Sequence, residues 1–448
     1  LYYTTGTETE SASYTYSHAS PAESLSSTIP APPFLLANST DEAIPLAQAT
    51  YLAQQLNEQC SATGSKVSTQ LAVLSGDQHA VTYSDIFSGP TLDFLTDAVD
   101  GTLPTGCTTL SPLTGASMAY DANQSAKSTI LFGGCCTSAA ALSGSTQVFD
   151  STTASWAPVT ITGTSPSPRL GAAFAYDPTS GDLVLFGGES LPGGSAQPVA
   201  LDDTWELSYQ SSTNTGTWSE VPTSTEPSAR YAATADEAPH LQGLVLYGGE
   251  NIPSAVEGGS PAADGDTWLW NGSWTELSTS RAPPVLYGAN ESYDGSNNTD
   301  VLFAGDETSS SCGASCLDLV GDTWVLSYNT TSGAWTWTEK SKSGPAAREF
   351  PAGSSDSTGT VIFGGMGGSG NGKTINSDDL LDDTWTWNGS DWTLCSSSCA
   401  TSPPEEVGAS LAYNRNTDEG LLYGGYTDTA PPSAPLVTWI WNGSWASS

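Results

Sequence analysis

The sequence is poor in positive charge, and this shortage limits the partners that it can take. Its 448 residues include 10 lysines and arginines against 48 aspartates and glutamates, a formal net charge of −38. Such a chain is repelled by nucleic acid phosphates and by anionic membrane surfaces, so we expect neither as a partner. Acid would protonate many of the carboxylates, and salt would screen them. Because only 13% of the residues are charged, acid surroundings are the setting we favour.

Long apolar segments are also missing. No run of 18 apolar residues occurs, so we expect no transmembrane helix in this chain. The sequence begins at Leu1 rather than Met, carries no signal peptide and has a Ser/Thr-rich polar composition. These features are typical of a processed, secreted protein, and we expect an extracellular or cell-surface location. Removal of a C-terminal anchor would leave no trace in the sequence.

Histidines are scarce as well. His18, His79 and His240 lie in separate segments, with no flanking signature of a catalytic triad and no arrangement of copper ligands. We therefore predict no catalytic residues, no metal ligands and no cofactor, and we interpret these histidines as ordinary surface or loop residues.

What the chain does have is a repeat. An apolar strand runs into glycine at six places, TILFGG, LVLFGG, LVLYGG, VLFAG, VIFGG and LLYGG, which end at Gly134, Gly188, Gly249, Gly305, Gly365 and Gly425. These glycines are 54 to 61 residues apart. A short strand such as GAAFAYD precedes the run, and a polar loop, an Asp-Thr-Trp strand and a final Trp-containing strand follow it. Four short strands per unit predict the blades of a β-propeller, which bury their faces by stacking around an axis.

The last two strands of a unit are joined by Asn-Gly in three copies, beginning with DTWLWNGSWTEL at Asp266. Trp268 and Trp270 are two residues apart and point to the same face of an extended strand. Asn271 and Gly272 tolerate positive φ, so the pattern predicts a β-hairpin with a tight type I′ turn. We expect the tryptophans of the repeat to lie in the core, with a sugar-binding face as the alternative.

These motifs resemble those of kelch-repeat β-propellers, over about residues 107–445. The resemblance rests on the run into Gly-Gly, the polar loop, the spaced aromatic pair and an arginine that opens several units, at Arg169, Arg230, Arg281 and Arg348. It implies an all-β, kelch-type propeller with six clear four-stranded blades. The phrases RLGAAFAYD, LVLFGG, DDTW and WNGSW look most like those of kelch-type surface proteins inferred from archaeal genomes.

Two segments precede the six units. Residues 1–33 form a Tyr/Thr/Ser-rich tail. It is either a flexible tail, a strand that closes the ring, or a strand that adds to a neighbouring subunit. Residues 34–106 include the one good helix pattern, at 41–60, with Leu46, Ala49, Ala53 and Leu56 on one face. Gly76 stands in register with the repeat, 58 residues before Gly134. We therefore predict a degenerate seventh blade in 34–106; a separate cap on a six-bladed ring is the alternative. The blades themselves span 107–448.

Eight cysteines, an even number, predict disulfides in a secreted chain. Cys312 with Cys316, and Cys395 with Cys399, are four residues apart in Ser/Gly loops and favour local disulfides over zinc sites, because no histidine lies near them. Cys135 and Cys136 are adjacent, and a bond between neighbours is strained. We expect each to pair with one of Cys60 and Cys107, in an order that stays open.

Asn-x-Ser/Thr sequences predict N-glycosylation in a secreted chain. We expect most of these eight sites to be modified in a host that glycosylates asparagine, and chance occurrence in a Ser/Thr-rich chain is the alternative. The asparagines are Asn38, Asn123, Asn271, Asn290, Asn297, Asn329, Asn388 and Asn442.

Acidic residues precede Thr-Trp in four units. They are Asp202 and Asp203, Asp264 and Asp266, Asp322, and Asp382 and Asp383, with Asp378 and Asp379 in the loop before the last pair. Calcium held by loop carboxylates is one interpretation. We favour a structural role, in which an aspartate at the strand entrance accepts hydrogen bonds once per blade, because the same register recurs.

The function that these features favour is binding or assembly rather than catalysis. We expect a secreted, glycosylated cell-surface propeller that presents variable loops from a rigid scaffold, such as 189–201, 250–263 and 366–381. A sharper version is a subunit of an extracellular filament or surface layer, joined through the N-terminal tail, with itself, other surface proteins or glycans as partners. The alternatives are an extracellular carbohydrate-active enzyme, which needs a buried carboxylate pair or metal in the axial funnel, and a glycan-binding propeller.

Overall fold

The computed structural model describes two short segments near the N-terminus and most of the chain from residue 113 onward. These residues are 34–38, 70–74 and 113–447, except 124–126, 136–141, 152, 192–197, 252–261, 308–317, 330, 341–343, 357–358, 369–379, 397–398, 400 and 428–436. The chain divides into two compact units, Leu1–Thr109 and Leu110–Ser448.

In the first unit, strands Phe34–Asn38 and Gln70–Leu74 pair in parallel, with Phe34 opposite Gln70. The predicted tail 1–33 and helix 41–60 lie outside the described residues. Among the residues that the structure does describe, no helix has the length and hydropathy needed to cross a membrane.

The second unit contains six antiparallel sheets, each built from consecutive strands. Blade 1 has Ser117–Asp121, Ser128–Phe132, Thr146–Asp150 and Ser155–Pro158; blade 2 has Ala173–Tyr176, Leu183–Phe186, Thr204–Gln210 and Thr215–Glu220; blade 3 has Thr234–Ala238, Gly243–Tyr247, Thr267–Trp270 and Trp274–Glu276; blade 4 has Asn290–Asp294, Thr299–Phe303, Thr323–Asn329 and Ala334–Glu339; blade 5 has Ala352–Asp356, Gly359–Phe363, Thr384–Trp387 and Trp392–Leu394; blade 6 has Val407–Asn414, Glu419–Tyr426, Trp439–Trp441 and Trp445–Ser447. The first strand of each sheet packs against the first strands of both neighbouring sheets, so these six strands surround the axis.

Shorter elements complete the unit. Thr160–Thr162 adds a fifth strand to blade 2, parallel to its outermost strand, and Pro239–Leu241 is a single 3₁₀ turn. Four two-residue pairs lie beyond the Gly-Gly ends of the strands. They are Glu189–Ser190 with Val199–Ala200, Glu250–Asn251 with Ala262–Ala263, Leu286–Tyr287 with Asp306–Glu307, and Arg348–Glu349 with Met366–Gly367.

A closed circle of backbone hydrogen bonds surrounds the axis. It joins one residue from the start of each inner strand, and we call it the backbone ring: Gly115, Gly171, Ala232, Gly288, Phe350 and Gly408. Each amide donates to the carbonyl of its counterpart in the preceding blade, and Gly115 closes the circle by donating to Gly408 at 3.0 Å. All six residues have positive φ, from 49° at Phe350 to 68° at Gly408. This conformation explains why glycine fills four of the six positions.

The Gly-Gly pairs hold each blade to the next. The second glycine donates its amide to a backbone carbonyl of the next blade, as Gly134 does to Arg169 at 2.8 Å and Gly425 does to Leu113 at 3.0 Å. A Cβ on the preceding residue, Gly133, would lie 2.4 Å from that Arg169 oxygen. The glycines therefore allow the backbones of neighbouring blades to approach each other closely.

Blade 6 meets blade 1 directly, so the ring has six blades. Gly425 bonds to Leu113, Gly115 bonds to Gly408, and the Trp156 indole donates to Thr438 Oγ1 at 2.9 Å. The six blades predicted from the repeat are confirmed. The seventh blade predicted within 34–106 is wrong for this ring, because the inter-blade bonds close without it.

Tryptophans of the outermost strands fill the spaces between blades, as predicted. In every blade the indole donates to a threonine of the preceding blade, at 2.7 to 3.0 Å. The pairs are Trp156 with Thr438, Trp218 with Thr146, Trp274 with Thr204, Trp337 with Thr267, Trp392 with Thr323, and Trp445 with Thr384. Burying such large aromatic surfaces is the main favourable contribution to stacking the blades.

The Asn-Gly hairpins are present, but their turn differs from the prediction. Trp270 pairs with Trp274, so three residues connect the strands, and only Gly272 of the three has positive φ. In blade 5, where Asp391 is inserted, four residues connect Trp387 and Trp392. A two-residue type I′ turn is therefore wrong here. Trp268, Trp270 and Trp274 do share one core cluster, as their spacing predicts.

Candidate functional site

The aspartates before Thr-Trp are bound by buried arginines in three blades. The Arg169 guanidinium donates to both oxygens of Asp203, at 2.6 and 2.8 Å, and to the Gly187 carbonyl at 2.9 Å. Arg230 holds Asp266, and Arg348 holds Asp383, in the same way. The structural role is therefore confirmed for Asp203, Asp266 and Asp383, whose partners are a guanidinium and an indole as well as the backbone.

The arginine pairs lower the pKa of the three aspartates. Burial acts to raise the pKa of Asp203, Asp266 and Asp383, but the guanidinium and the neighbouring Trp indole outweigh it and hold each pKa below its usual value. Arg281 is not part of this set. It lies exposed, bonds Glu339 and covers the Trp324 ring, while Leu286 takes the equivalent place in blade 4.

A cavity of about 280 Å³ runs along the axis, lined by the inner strands of all six blades. Most of its wall is small and apolar. Its polar lining includes Thr234, Asp236, Glu291, Ser355 and Arg415. It is the candidate site for a ligand within the propeller, because clefts with a few convergent polar groups are where ligands usually bind.

Three carboxyl groups cluster where blades 3 and 4 meet, and we call Asp236, Glu291 and Asp300 the carboxyl cluster. Asp236 Oδ2 accepts from the Tyr293 amide at 2.9 Å and from Ser355 Oγ at 3.3 Å. Neither oxygen of Glu291 or Asp300 has a hydrogen-bond partner among the described residues. Burial raises the pKa of Asp236 to about 6, and burial with mutual repulsion raises the pKa of Glu291 and Asp300 well above the usual range.

Sequence reasoning missed this cluster, although a signal was present. Asp300 precedes the apolar run VLF, and the matching residues in blades 2 and 3 are Leu183 and Leu244, both in the core. A charged residue at a core position of a repeat indicates a specialised site.

His240 lies beside the carboxyl cluster. Its ring stacks on Tyr293 with centroids 5.4 Å apart, and Nε2 is 3.8 Å from Asp300 Oδ2. Burial lowers the pKa of His240. The interpretation of this histidine as an ordinary loop residue is therefore incomplete, while His18 and His79 lie outside the described residues.

At the end of the inner strands that is far from the backbone ring, Arg415 of blade 6 contacts Glu237 of blade 3. These blades face each other across the axis, so this ion pair spans it. Arg415 also lowers the pKa that Asp236 would otherwise have. One cation therefore faces several carboxyl groups in this part of the axis.

The opposite end, beyond the backbone ring, carries a second acidic group. We call it the acidic mouth, and its residues are Glu189, Glu250, Asp306, Glu349, Tyr231 and Tyr287. The Tyr231 hydroxyl donates to Glu250 at 2.7 Å, and the Tyr287 hydroxyl donates to Asp306 at 3.2 Å. Burial and neighbouring carboxylates raise the pKa of Glu349 to about 8 and raise those of Glu189, Glu250 and Asp306.

The described residues contain no group of three or more His, Cys, Asp or Glu side chains arranged to hold a metal ion. Asp378 and Asp379 lie outside them. The predicted calcium alternative therefore gains no support from this part of the chain.

The predicted glycosylation sites occupy different surroundings. Asn271, Asn297, Asn329, Asn388 and Asn442 are exposed. The Asn123 amide donates to the Gly181 carbonyl, and Asn290 is buried, at 8% exposure. Asn38 lies in the first strand of the N-terminal unit. Glycosylation stays a prediction, and the exposed asparagines are its best candidates.

One predicted disulfide is present, between Cys395 and Cys399. Cys135 lies next to the Gly-Gly end of blade 1, where its backbone pairs with Thr114. Cys60, Cys107, Cys136, Cys312 and Cys316 lie outside the described residues, so their pairing stays a prediction.

Comparison with known proteins agrees with this architecture. Residues 117–324 match the family model of the KLHDC2/KLHL20/DRC7 kelch-repeats domain. No curated protein sequence matches the chain. Among solved structures, the one titled "Structure of YjhT" superposes with a TM-score of 0.55 at 14% identity, over 76% of this chain and 99% of that one. At this identity the likeness concerns the fold alone, and the kelch likeness is a similarity of residues 117–324, which make up less than half of the chain.

Proposed function

We propose that this chain is a secreted cell-surface propeller that binds or assembles with other molecules through the face around the acidic mouth. One observation carries this proposal: the Gly-Gly strand ends of five blades and the Ala304-Gly305 end of blade 4 lie at one end of a hydrogen-bonded ring. The short strands that follow four of them, Glu189–Ser190, Glu250–Asn251, Asp306–Glu307 and Met366–Gly367, therefore leave the scaffold on one face. Segments presented by a rigid scaffold are where binding residues usually lie. Kelch propellers typically serve as protein-interaction modules, which supports the proposal.

The sharper form is a subunit of an extracellular filament or surface layer, glycosylated at its exposed asparagines and joined through residues 1–33. The Ser/Thr-rich composition, the acidic charge and the resemblance to archaeal kelch-type surface proteins support this form. Strand addition by a Tyr/Thr-rich tail would give the contact its backbone hydrogen bonds.

Electron microscopy of native material from the cell surface or medium tests this proposal. We expect filaments or sheets from the full chain and isolated discs after deletion of residues 1–33. A chain whose first 33 residues are shuffled is the matched control, because it keeps composition and length. Polymers that persist after the deletion, or a full chain seen only as discs, would contradict assembly through the tail.

A second candidate is favoured by the carboxyl cluster. Asp236 and Glu291 line the axial cavity, and burial raises the pKa of both, to about 6 for Asp236 and well above the usual range for Glu291. Glu291 can therefore keep a proton near neutral pH, as a general acid requires, while Asp236 is mostly ionised. The alternative function is therefore a carbohydrate-active hydrolase or lyase. Release of sugars from extracellular polysaccharides by the wild-type chain, and its loss in Asp236→Asn and Glu291→Gln, would support it. No release by the wild-type chain would exclude these substrates.

A further inference from the structure

The acidic mouth concentrates carboxyl groups. Its four carboxyl groups come from blades 2, 3, 4 and 5, and each repels the next: Glu189 repels Glu250, Glu250 repels Asp306, and Asp306 repels Glu349. Among the residues that the structure describes, no lysine or arginine contributes to their pKa values.

The arginines nearest in sequence are already engaged. The guanidinium groups of Arg169, Arg230 and Arg348 each donate hydrogen bonds to an aspartate and to a glycine carbonyl of their own blade. Tyr231 and Tyr287 supply hydroxyl donors to Glu250 and Asp306. Hydroxyl groups satisfy hydrogen bonding but leave the charge in place.

Glu349 supplies an independent sign of a missing ligand. Its side chain is 3% exposed, and Oε2 has no hydrogen-bond partner among the residues that the structure describes. A buried carboxyl oxygen without a hydrogen-bond partner costs about 1–3 kcal/mol, and folded proteins rarely retain one without a functional reason.

Aromatic rings border the same group. The rings of Tyr287 and Phe350 meet edge to face with centroids 6.0 Å apart. Phe350 holds a place in the backbone ring at φ 49°, a conformation that is uncommon for a bulky residue, and its ring lies against Gly288. Tyr231, which is partly buried, also lines the axial cavity, so it connects the mouth with that cavity.

We propose that the acidic mouth binds an organic cation, an alkylammonium or guanidinium group, which a partner protein presents as a lysine or arginine side chain. Its donors would bond the free Glu349 oxygen and neighbouring carboxylates, and the rings of Tyr231, Tyr287 and Phe350 would contact its stem and charged head. This proposal rests on the proposed binding function and names the chemistry of the partner.

Calorimetric titration of the full chain at about pH 9, where Glu349 is ionised, and at constant ionic strength tests the proposal. The probes are a capped Gly-Arg-Gly peptide, the same peptide with citrulline in place of arginine, and free agmatine. We expect the arginine peptide to bind and the citrulline peptide, which has the same shape without the charge, to bind at least tenfold more weakly. Equal affinity for the two peptides, or heat from neither, would overturn the proposal.

The variants locate the site. At about pH 9, above the Glu349 pKa of about 8, both groups are ionised, so Glu349→Gln and Glu250→Gln keep side-chain shape and each remove one charge. The arginine peptide should bind each variant roughly tenfold more weakly, the loss of one charge-assisted hydrogen bond. Glu276→Gln, on the exposed outer strand of blade 3, is the matched control and should bind as wild type does. Equal binding by wild type and both mouth variants would overturn the assignment.

Agmatine distinguishes the two sources of the cation. Binding of agmatine but not of the peptide would make the ligand a free amine and overturn the protein partner while keeping the cation site. Discs without polymers in electron microscopy would remove the assembly function alone. Failure of the two proposals can therefore be told apart.

Discussion

Three ion pairs between a buried arginine and an aspartate show how single residues stabilise a blade. In blades 2, 3 and 5 the guanidinium is buried, bonds both carboxylate oxygens and reaches the carbonyl of the first glycine of Gly-Gly. The same arginine offers its own carbonyl to the preceding blade, as Arg230 does to Gly188. One residue thus ties the third strand, the second strand and the neighbouring blade together.

Arg230→Met should destabilise the propeller by about 3–5 kcal/mol, because Asp266 would remain in place without its charge partner. Arg281→Met is the matched control. Arg281 is half-exposed and its pair with Glu339 is at the surface, so the loss should be about 0–1 kcal/mol. Urea unfolding monitored by tryptophan fluorescence measures both. Equal losses in the two variants would contradict this account.

The sequence identified the members of these pairs but not the pairing. Arginine at the start of a unit and aspartate before Thr-Trp were both visible as repeated features. Their contact joins residues 34 to 36 positions apart, which depends on how the strands fold back on each other. Arg281 shares the residue type, yet it lies five residues before the equivalent position, at Leu286. Chain spacing alone therefore assigned it wrongly.

At the scale of elements, strand pattern was predictable and turn geometry was not. Alternating aromatics and runs into Gly-Gly specify four strands per blade, because burial on both faces needs apolar residues at fixed positions. The turn after TWLW depends on which residues pair. Trp270 opposite Trp274 leaves three residues to connect the strands, and the packing of both indoles in one cluster accompanies that register.

Each outermost strand is also fixed to the preceding blade by an indole hydrogen bond. Trp445→Phe, in the last strand of the ring, should cost about 1–3 kcal/mol, because the indole volume is lost and the buried Thr384 hydroxyl loses its donor. The matched control is Trp439→Phe, whose indole nitrogen has no partner among the described residues. Differential scanning calorimetry should show a larger drop in melting temperature for Trp445→Phe, and the reverse order would contradict the role of this bond.

At the scale of the whole molecule, closure decides the number of blades. The spacing of Gly76 placed a seventh unit in register, yet register along the chain does not determine which strands meet. Two backbone bonds and one indole bond join blade 6 to blade 1, and they leave no opening in the ring. The carboxyl cluster and the acidic mouth are equally products of closure, since each gathers residues from different blades.

Buried carboxyl groups should give the propeller a stability maximum in mild acid. The pKa is raised by burial to about 7 for Asp121, about 6 for Asp236 and about 8 for Glu349. The folded chain therefore binds these protons more tightly than the unfolded chain does. Their contribution to the free energy of unfolding is fully present below about pH 4 and is lost as the pH rises through 6 to 8.

The arginine-bound aspartates determine how far stability falls at low pH. Their pKa values are lowered in the folded state, so their contribution is present above about pH 4 and is lost as the pH falls further. We expect the urea midpoint to be highest near pH 4–5 and to fall toward pH 9. Glu349→Gln should weaken the fall at alkaline pH, whereas Asp391→Asn, at an exposed turn, should leave it unchanged. A urea midpoint that is highest at pH 7–8 would mean that the buried carboxyl groups do not control stability. A midpoint that is highest in acid would fit a propeller adapted to the acidic surroundings that its composition favours.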